Sequence, residues 1–135
     1  MIVDTSALLA FFDRNEPDHA AVVQALLASD EPLVVSPYVV AELDYLVATR
    51  HGVAAELAVL AELAGGAWEL PAFGMDDIGL ARQIIDQYAD QGIGIADASI
   101  VVLADRLGTG SIATLDRRHF EALRPLSGGR FAIVP

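Results

Sequence analysis

Four acids stand where single explanations are weak. Asp4 ends the apolar run Ile2-Val3, and Glu42 lies in the periodic segment after Ser36-Pro37. Asp97 opens an apolar stretch after Gly92-Ile93-Gly94, and Asp116 closes the run Ser111 to Leu115. Each has a structural alternative. Asp4-Thr5-Ser6 is a common turn after a strand. Glu42 follows Val39 by three residues and precedes Leu46 by four, at the border of the core-facing stripe, where glutamates often bury only their stem. Asp97 and Asp116 both suit an N-cap. Asp44 faces elsewhere on the same helix and reads as solvated. Against these stands the cost of an unpaired charge at the end of an interior strand. Together the four imply more: close carboxylates raise one another's pKa values and need a cation to stay ionised. Hard divalent ions such as Mg²⁺ or Mn²⁺ take oxygen ligands, and Mg²⁺ keeps several waters. Such a centre activates water and stabilises charge on a phosphoryl oxygen; two ions about 4 Å apart would clamp both the attacking and the leaving oxygen.

The elements expected to position these acids alternate. Ile2-Val3 reads as a strand, Asp18 to Ala28 as a helix and Leu33-Val34-Val35 as a second strand. Ser36 as N-cap and Pro37 in the first turn open a helix to about Arg50, with Val39, Val40, Leu43, Leu46 and Val47 on one face. A helix from Val53 to Ala64 stops at Gly65-Gly66, and Trp68-Glu69-Leu70 is a strand stopped by Pro71. Asp76 to Tyr88 and Ala96 to Leu107 read as helices, the second apolar on most sides. Ser111 to Leu115 is a fourth strand, Asp116 caps a short helix, and Phe131 to Val134 closes as a fifth strand. The expected fold class is α/β: one domain over 1–135, with a central, mostly parallel sheet of about five short strands flanked by helices. Functional residues of such sheets collect beyond the carboxyl ends of the strands, which places Asp4 and Asp116 on one rim.

Composition narrows the chemistry. With no cysteine, disulfides and thiolate metal sites are excluded and oxygen or imidazole ligands remain. The hydrophobic fraction of 54% is high for so small an interior and suggests apolar surface covered by a partner. Net charge is −11, against the usual basicity of nucleic-acid binders. The basic residues are all arginine, however, and Arg106, Arg117, Arg118, Arg124 and Arg130 cluster in the last thirty residues. No basic-then-apolar leader opens the chain and no run reaches membrane-spanning length, so a cytoplasmic protein without membrane contact is expected.

Several segments, in order, resemble one family. They are Ile2-Val3-Asp4-Thr5-Ser6-Ala7-Leu8-Leu9-Ala10, Ser36-Pro37 with Val40-Ala41-Glu42-Leu43, Ile95-Ala96-Asp97-Ala98-Ser99-Ile100, and Ile112-Ala113-Thr114-Leu115-Asp116 with Arg117-Arg118-His119-Phe120. The chain is similar to PIN domains, specifically the VapC-type toxins of toxin–antitoxin pairs. The resemblance implies an endoribonuclease dependent on Mg²⁺ or Mn²⁺, with catalytic and metal-binding roles on Asp4, Glu42, Asp97 and Asp116. Ser6 and Thr114 match positions whose hydroxyls hold site waters or acids. It also implies products with 5′-phosphate and 3′-hydroxyl ends, a homodimer, and a VapB-type antitoxin that fills the acidic groove. Arg117, Arg118 and His119, beside Asp116, are candidates for contact with RNA phosphate; for His119 the alternative is a surface residue near a helix cap.

Rival classes lack their residues. A receiver-type phosphoacceptor needs a lysine, and there is none; a haloacid-dehalogenase pattern needs an aspartate at position 6, which is Ser6. No Gly-rich loop ending in Gly-Lys-Ser/Thr is present. A metal-dependent phosphohydrolase of another α/β family and a non-catalytic antitoxin-binding module are the remaining alternatives.

Overall fold

In the computed structural model, which describes residues 1–135, Ile2 and Val3 are both wholly buried, and so are Ile112 and Ala113. Successive strand residues point to opposite faces, so both faces of the sheet are covered, as interior parallel strands require. β1 (Ile2–Val3), β2 (Ser111–Ala113) and β3 (Ala132–Val134) pair in parallel, in that order. On the free edge of β1, the strands expected at Leu33 to Val35 and Trp68 to Leu70 shrink to single parallel bridges, Ile2 with Val34 and Val34 with Glu69. Five segments therefore lie side by side, but only three are full strands. Pro32, Pro37 and Pro71 bracket the two short ones and leave few residues able to extend a ladder.

The helices are α1 (Thr5–Phe12), α2 (His19–Leu27), α3 (Pro37–His51), α4 (Val53–Leu63), α5 (Met75–Gln87), α6 (Ile95–Leu107) and α7 (Arg117–Ala122), with a 3-10 turn at Ala89–Gln91. α1 corrects the turn expected after Asp4. Beyond Ser6 this segment has no polar residue, so it shows no helical periodicity to read. The expected strand at Ser111 to Leu115 also ends early, at Ala113, so Thr114 rather than Asp116 stands directly beyond it.

α6 lies at the centre. Ala98 to Ala104 are all buried, and the helix packs on β1, α3 and α5. It stops at Gly108, whose φ of +66° an L side chain rarely adopts, while the Thr109 N–H bonds back to the Ala104 carbonyl. α3 opens as expected, with Ser36 Oγ accepting the Tyr38 N–H at 3.2 Å and Pro37 in the first turn. No helix is long and apolar enough to cross a membrane. Leu27, Tyr45, Val53, Leu57 and Met75 are large apolar side chains left exposed.

Candidate active site

The chain leaves the sheet in opposite directions from its two central strands. From β1 it runs through α1 and α2 to Val34 on one side; from β2 it runs through α7 to β3 on the other. Ligands of open parallel sheets bind at such divergence points. Asp4 follows β1 and Thr114 follows β2, and they meet there: Thr114 Oγ1 donates to Asp4 Oδ2 at 2.8 Å. Ser6 Oγ donates to the same oxygen at 2.8 Å. Both hydroxyls also accept backbone N–H groups, Ser6 from Leu115 at 2.9 Å and Thr114 from Asp116 at 3.0 Å. Asp4, only 6% exposed, is thereby hydrogen-bonded without a cationic partner.

The four acids line one cleft of about 240 Å³, together with Thr5, Ser6, Leu9, Leu46 and His119. Three of them sit at helix N-termini, yet none caps its helix in the expected way. Asp4 and Asp116 occupy the N-cap positions of α1 and α7 without a side-chain cap bond. Asp97 is the third residue of α6 rather than its cap; the cap is Gly94, whose N–H reaches Asp97 Oδ2 at 3.4 Å. The positive ends of α1 and α6 thus face the cleft and offset part of its negative charge. The offset is incomplete: burial, then the neighbouring charge of Asp4, push the Asp97 carboxyl above the ordinary aspartate value, and Asp116 adds to this. His119 and the Gly94 N–H pull the other way.

Glu42 stands one turn before Leu46 on α3, exposed at the edge of the buried stripe of Val39, Leu43 and Val47. Its Oε2 accepts the Thr5 hydroxyl at 2.6 Å. Thr5 is a buried site residue that sequence reasoning missed. Its one available signal was adjacency to Asp4, and the unrecognised α1 hid the direction of its side chain.

His119 lies inside the cleft rather than on the helix surface, with Nδ1 3.4 Å from both Asp97 Oδ2 and Asp116 Oδ2. Arg118 is exposed. The Arg117 guanidinium is engaged by the Pro135 carbonyl, and neither arginine lines the cleft.

The donor set suits a hard divalent cation: four carboxylates and hydroxyls, no sulfur, and an aspartate whose ionised form is disfavoured by burial and by the charge of Asp4. No three His, Asp or Glu side chains close on one point at ligating distance. Mg²⁺ is ordinarily held by one or two carboxylates and keeps several waters, so an acid-lined cleft fits it without a closed cage.

A parallel sheet carrying an acidic cleft at its divergence point is the arrangement of the PIN domain, and the chain belongs to that family: the PIN domain model matches residues 1–124. The chain is 67% identical over 135 residues to Ribonuclease VapC26 of Mycobacterium tuberculosis, covering all of both chains. Its fold resembles that of VapC20 of Mycobacterium tuberculosis, a Sarcin-Ricin loop cleaving toxin. The TM-score is 0.85 at 18% identity over 99% of this chain and 98% of that one. It also resembles a chain of the DNA-bound VapBC of Salmonella typhimurium, with a TM-score of 0.69 at 23% identity over 98% and 96% of the two chains.

Proposed function

We propose that this chain is the toxin of a VapBC-type toxin–antitoxin pair, a divalent-metal-dependent endoribonuclease acting in the cytoplasm as a homodimer. The observation that carries the proposal is the common cleft of Asp4, Glu42, Asp97 and Asp116, in a chain 67% identical to a ribonuclease over its full length. The domain takes in the whole of 1–135, because β3, beyond the family match, pairs with β2.

Asp4, Asp97 and Asp116 would hold Mg²⁺ or Mn²⁺, directly or through water. The bound cation supplies Lewis-acid activation of water and neutralises charge at the phosphate. Ser6 and Thr114 keep Asp4 Oδ2 in place, so this carboxylate needs little reorganisation. Glu42, braced by Thr5, orients the attacking water and takes its proton. His119 spaces Asp97 from Asp116. Water attacks phosphorus, the bond to the 3′-oxygen breaks, and that oxygen takes up a proton from solvent water, so the ends are a 5′-phosphate and a 3′-hydroxyl. The antitoxin covers the apolar groove of about 590 Å³ lined by Phe11, Phe12, Val23 and Val59, among others. It is continuous with the acid cleft through Leu9 and Phe12, which also line the hollow between them.

Purified protein with Mn²⁺ is expected to cleave RNA, to stop on addition of EDTA, and to lose about a hundredfold or more of its activity as Asp4→Asn. A 2′-deoxy residue at the cut should leave cleavage intact. Metal-independent cleavage, or no cleavage of any cellular RNA, would refute the proposal.

A further inference from the structure

Two buried hydroxyls lie outside the cleft and have no part in its chemistry. Ser36 and Ser99 are fully buried, and their Oγ atoms are 2.6 Å apart. Their surroundings are apolar: the flanking Val35, Val39, Ala98 and Ile100 are equally buried. A hydroxyl in such a place is costly unless every bond is made.

Here the proton directions can be assigned. Ser99 Oγ donates to the Ala96 carbonyl at 2.7 Å, so its only hydrogen is used. Ser36 must then donate to Ser99. This leaves Ser36 Oγ free to accept the Tyr38 N–H at 3.2 Å. The chain runs from the Tyr38 amide through both serines to the Ala96 carbonyl, with each hydroxyl donating once and accepting once. Bonds ordered in this way polarise one another.

The position of the chain gives it a consequence. Ser36 caps α3, which carries Glu42 six residues on; Ser99 sits two residues after Asp97 on α6. The two helices pack together, and the bond from the α3 cap to Ser99 is the one side-chain hydrogen bond that joins them. We infer that the Ser36–Ser99 bond is a tie that sets the spacing of Glu42 from Asp97 across the cleft, which makes both serines positioning residues for the acid site. An apolar contact tolerates sliding, whereas a hydrogen bond fixes length and direction. The inference rests on the ribonuclease reading for its activity readout and on cation binding for an independent one.

The test compares Ser99→Ala and Ser36→Ala with Val22→Ala, a core truncation in α2 that serves as the stability control. Cleavage of a fluorogenic RNA and binding of Mn²⁺ by electron paramagnetic resonance are measured below the Tm of every variant. Ser99→Ala, which leaves the Ser36 hydroxyl proton without an acceptor, should lower kcat about tenfold or more with KM nearly unchanged, since a small misplacement of reacting groups is enough. Mn²⁺ affinity should fall severalfold. Ser36→Thr, which keeps cap and hydroxyl, should retain more activity than Ser36→Ala. Val22→Ala should lose Tm but neither kcat nor Mn²⁺ affinity. If the serine variants lose kcat and Mn²⁺ affinity only as Val22→Ala does, the tie is structural and the inference fails. If the wild type binds Mn²⁺ but cleaves no RNA, the ribonuclease reading fails and Mn²⁺ affinity alone decides the tie.

Discussion

At Asp97 the folded protein works against an ionised carboxylate. Burial and the charge of Asp4 hold its carboxyl above the ordinary aspartate value. The sign of the linkage follows. The folded state binds this proton more tightly than the unfolded state, so ionising Asp97 destabilises the metal-free protein as pH rises through the raised value. Asp97→Asn should therefore raise the Tm of metal-free protein at pH 7. Mn²⁺ should raise the Tm of the wild type, as any ligand of the native state does, and have little effect on the variant. Thermal melts with EDTA and with Mn²⁺ check both; a variant less stable than the wild type in EDTA would contradict the repulsion. Thr5 poses the complementary case. Its hydroxyl bonds Glu42 at 2.6 Å from a buried position. Thr5→Val, nearly equal in shape, should cost about tenfold in kcat through the freed carboxylate, and Thr5→Ser should restore most of it.

Among the elements, the rim of the sheet opposite the acids has its own fastening. Glu31, in the link between α2 and Val34, accepts the Met1 ammonium at 2.6 Å, the Ser111 hydroxyl at 2.9 Å and the Thr109 hydroxyl. It thereby clamps the start of β1 to the start of β2. The ammonium bond first, then that of Thr109, lowers the Glu31 carboxyl to about 2. A depressed carboxyl stabilises the fold above its unfolded value, near 4.5, and loses that contribution as pH falls toward 2. Glu31 is 44% exposed, so solvent screening reduces its worth to about 1 kcal/mol. Urea titrations of wild type and Glu31→Gln should differ by about that amount at pH 7 and converge near pH 2.

For the whole molecule, the surface carries the high apolar fraction that composition signalled. The groove beside α1, α2 and α4 and the exposed Leu27, Tyr45, Val53, Leu57 and Met75 account for part of it. Val23 lines the groove away from the acids, so Val23→Glu should leave RNA cleavage intact while weakening neutralisation by the antitoxin about tenfold or more, as a charge buried without a partner does. Co-expression survival paired with cleavage by the purified variant separates the two effects. Equal neutralisation of variant and wild type would remove this groove from the antitoxin interface.

Much was legible without the fold. The alternation of elements showed because α3 carries its own cap and a stripe of Val39, Leu43 and Val47, α4 stops at Gly65-Gly66, and α5 opens on Asp76 and Asp77. The four acids were legible because carboxylates beside apolar runs are costly, and because their order and spacing matched one family. Tertiary structure decided the rest. α1 was hidden because a helix enclosed on nearly every side has no polar face to set its period. The two outer strands were overestimated because prolines limit pairing in a way that local β propensity does not report. The cap positions of Asp4 and Asp97 looked local, yet their carboxylates answer to partners far along the chain: Thr114 for Asp4, and His119 for Asp97. The bond between Ser36 and Ser99 spans 63 positions, and no local pattern announces it. Residue types and spacing determined which groups this protein has for chemistry; only the packing of α3, α6 and the sheet decided how those groups face one another, because side-chain direction is set by neighbours distant in sequence.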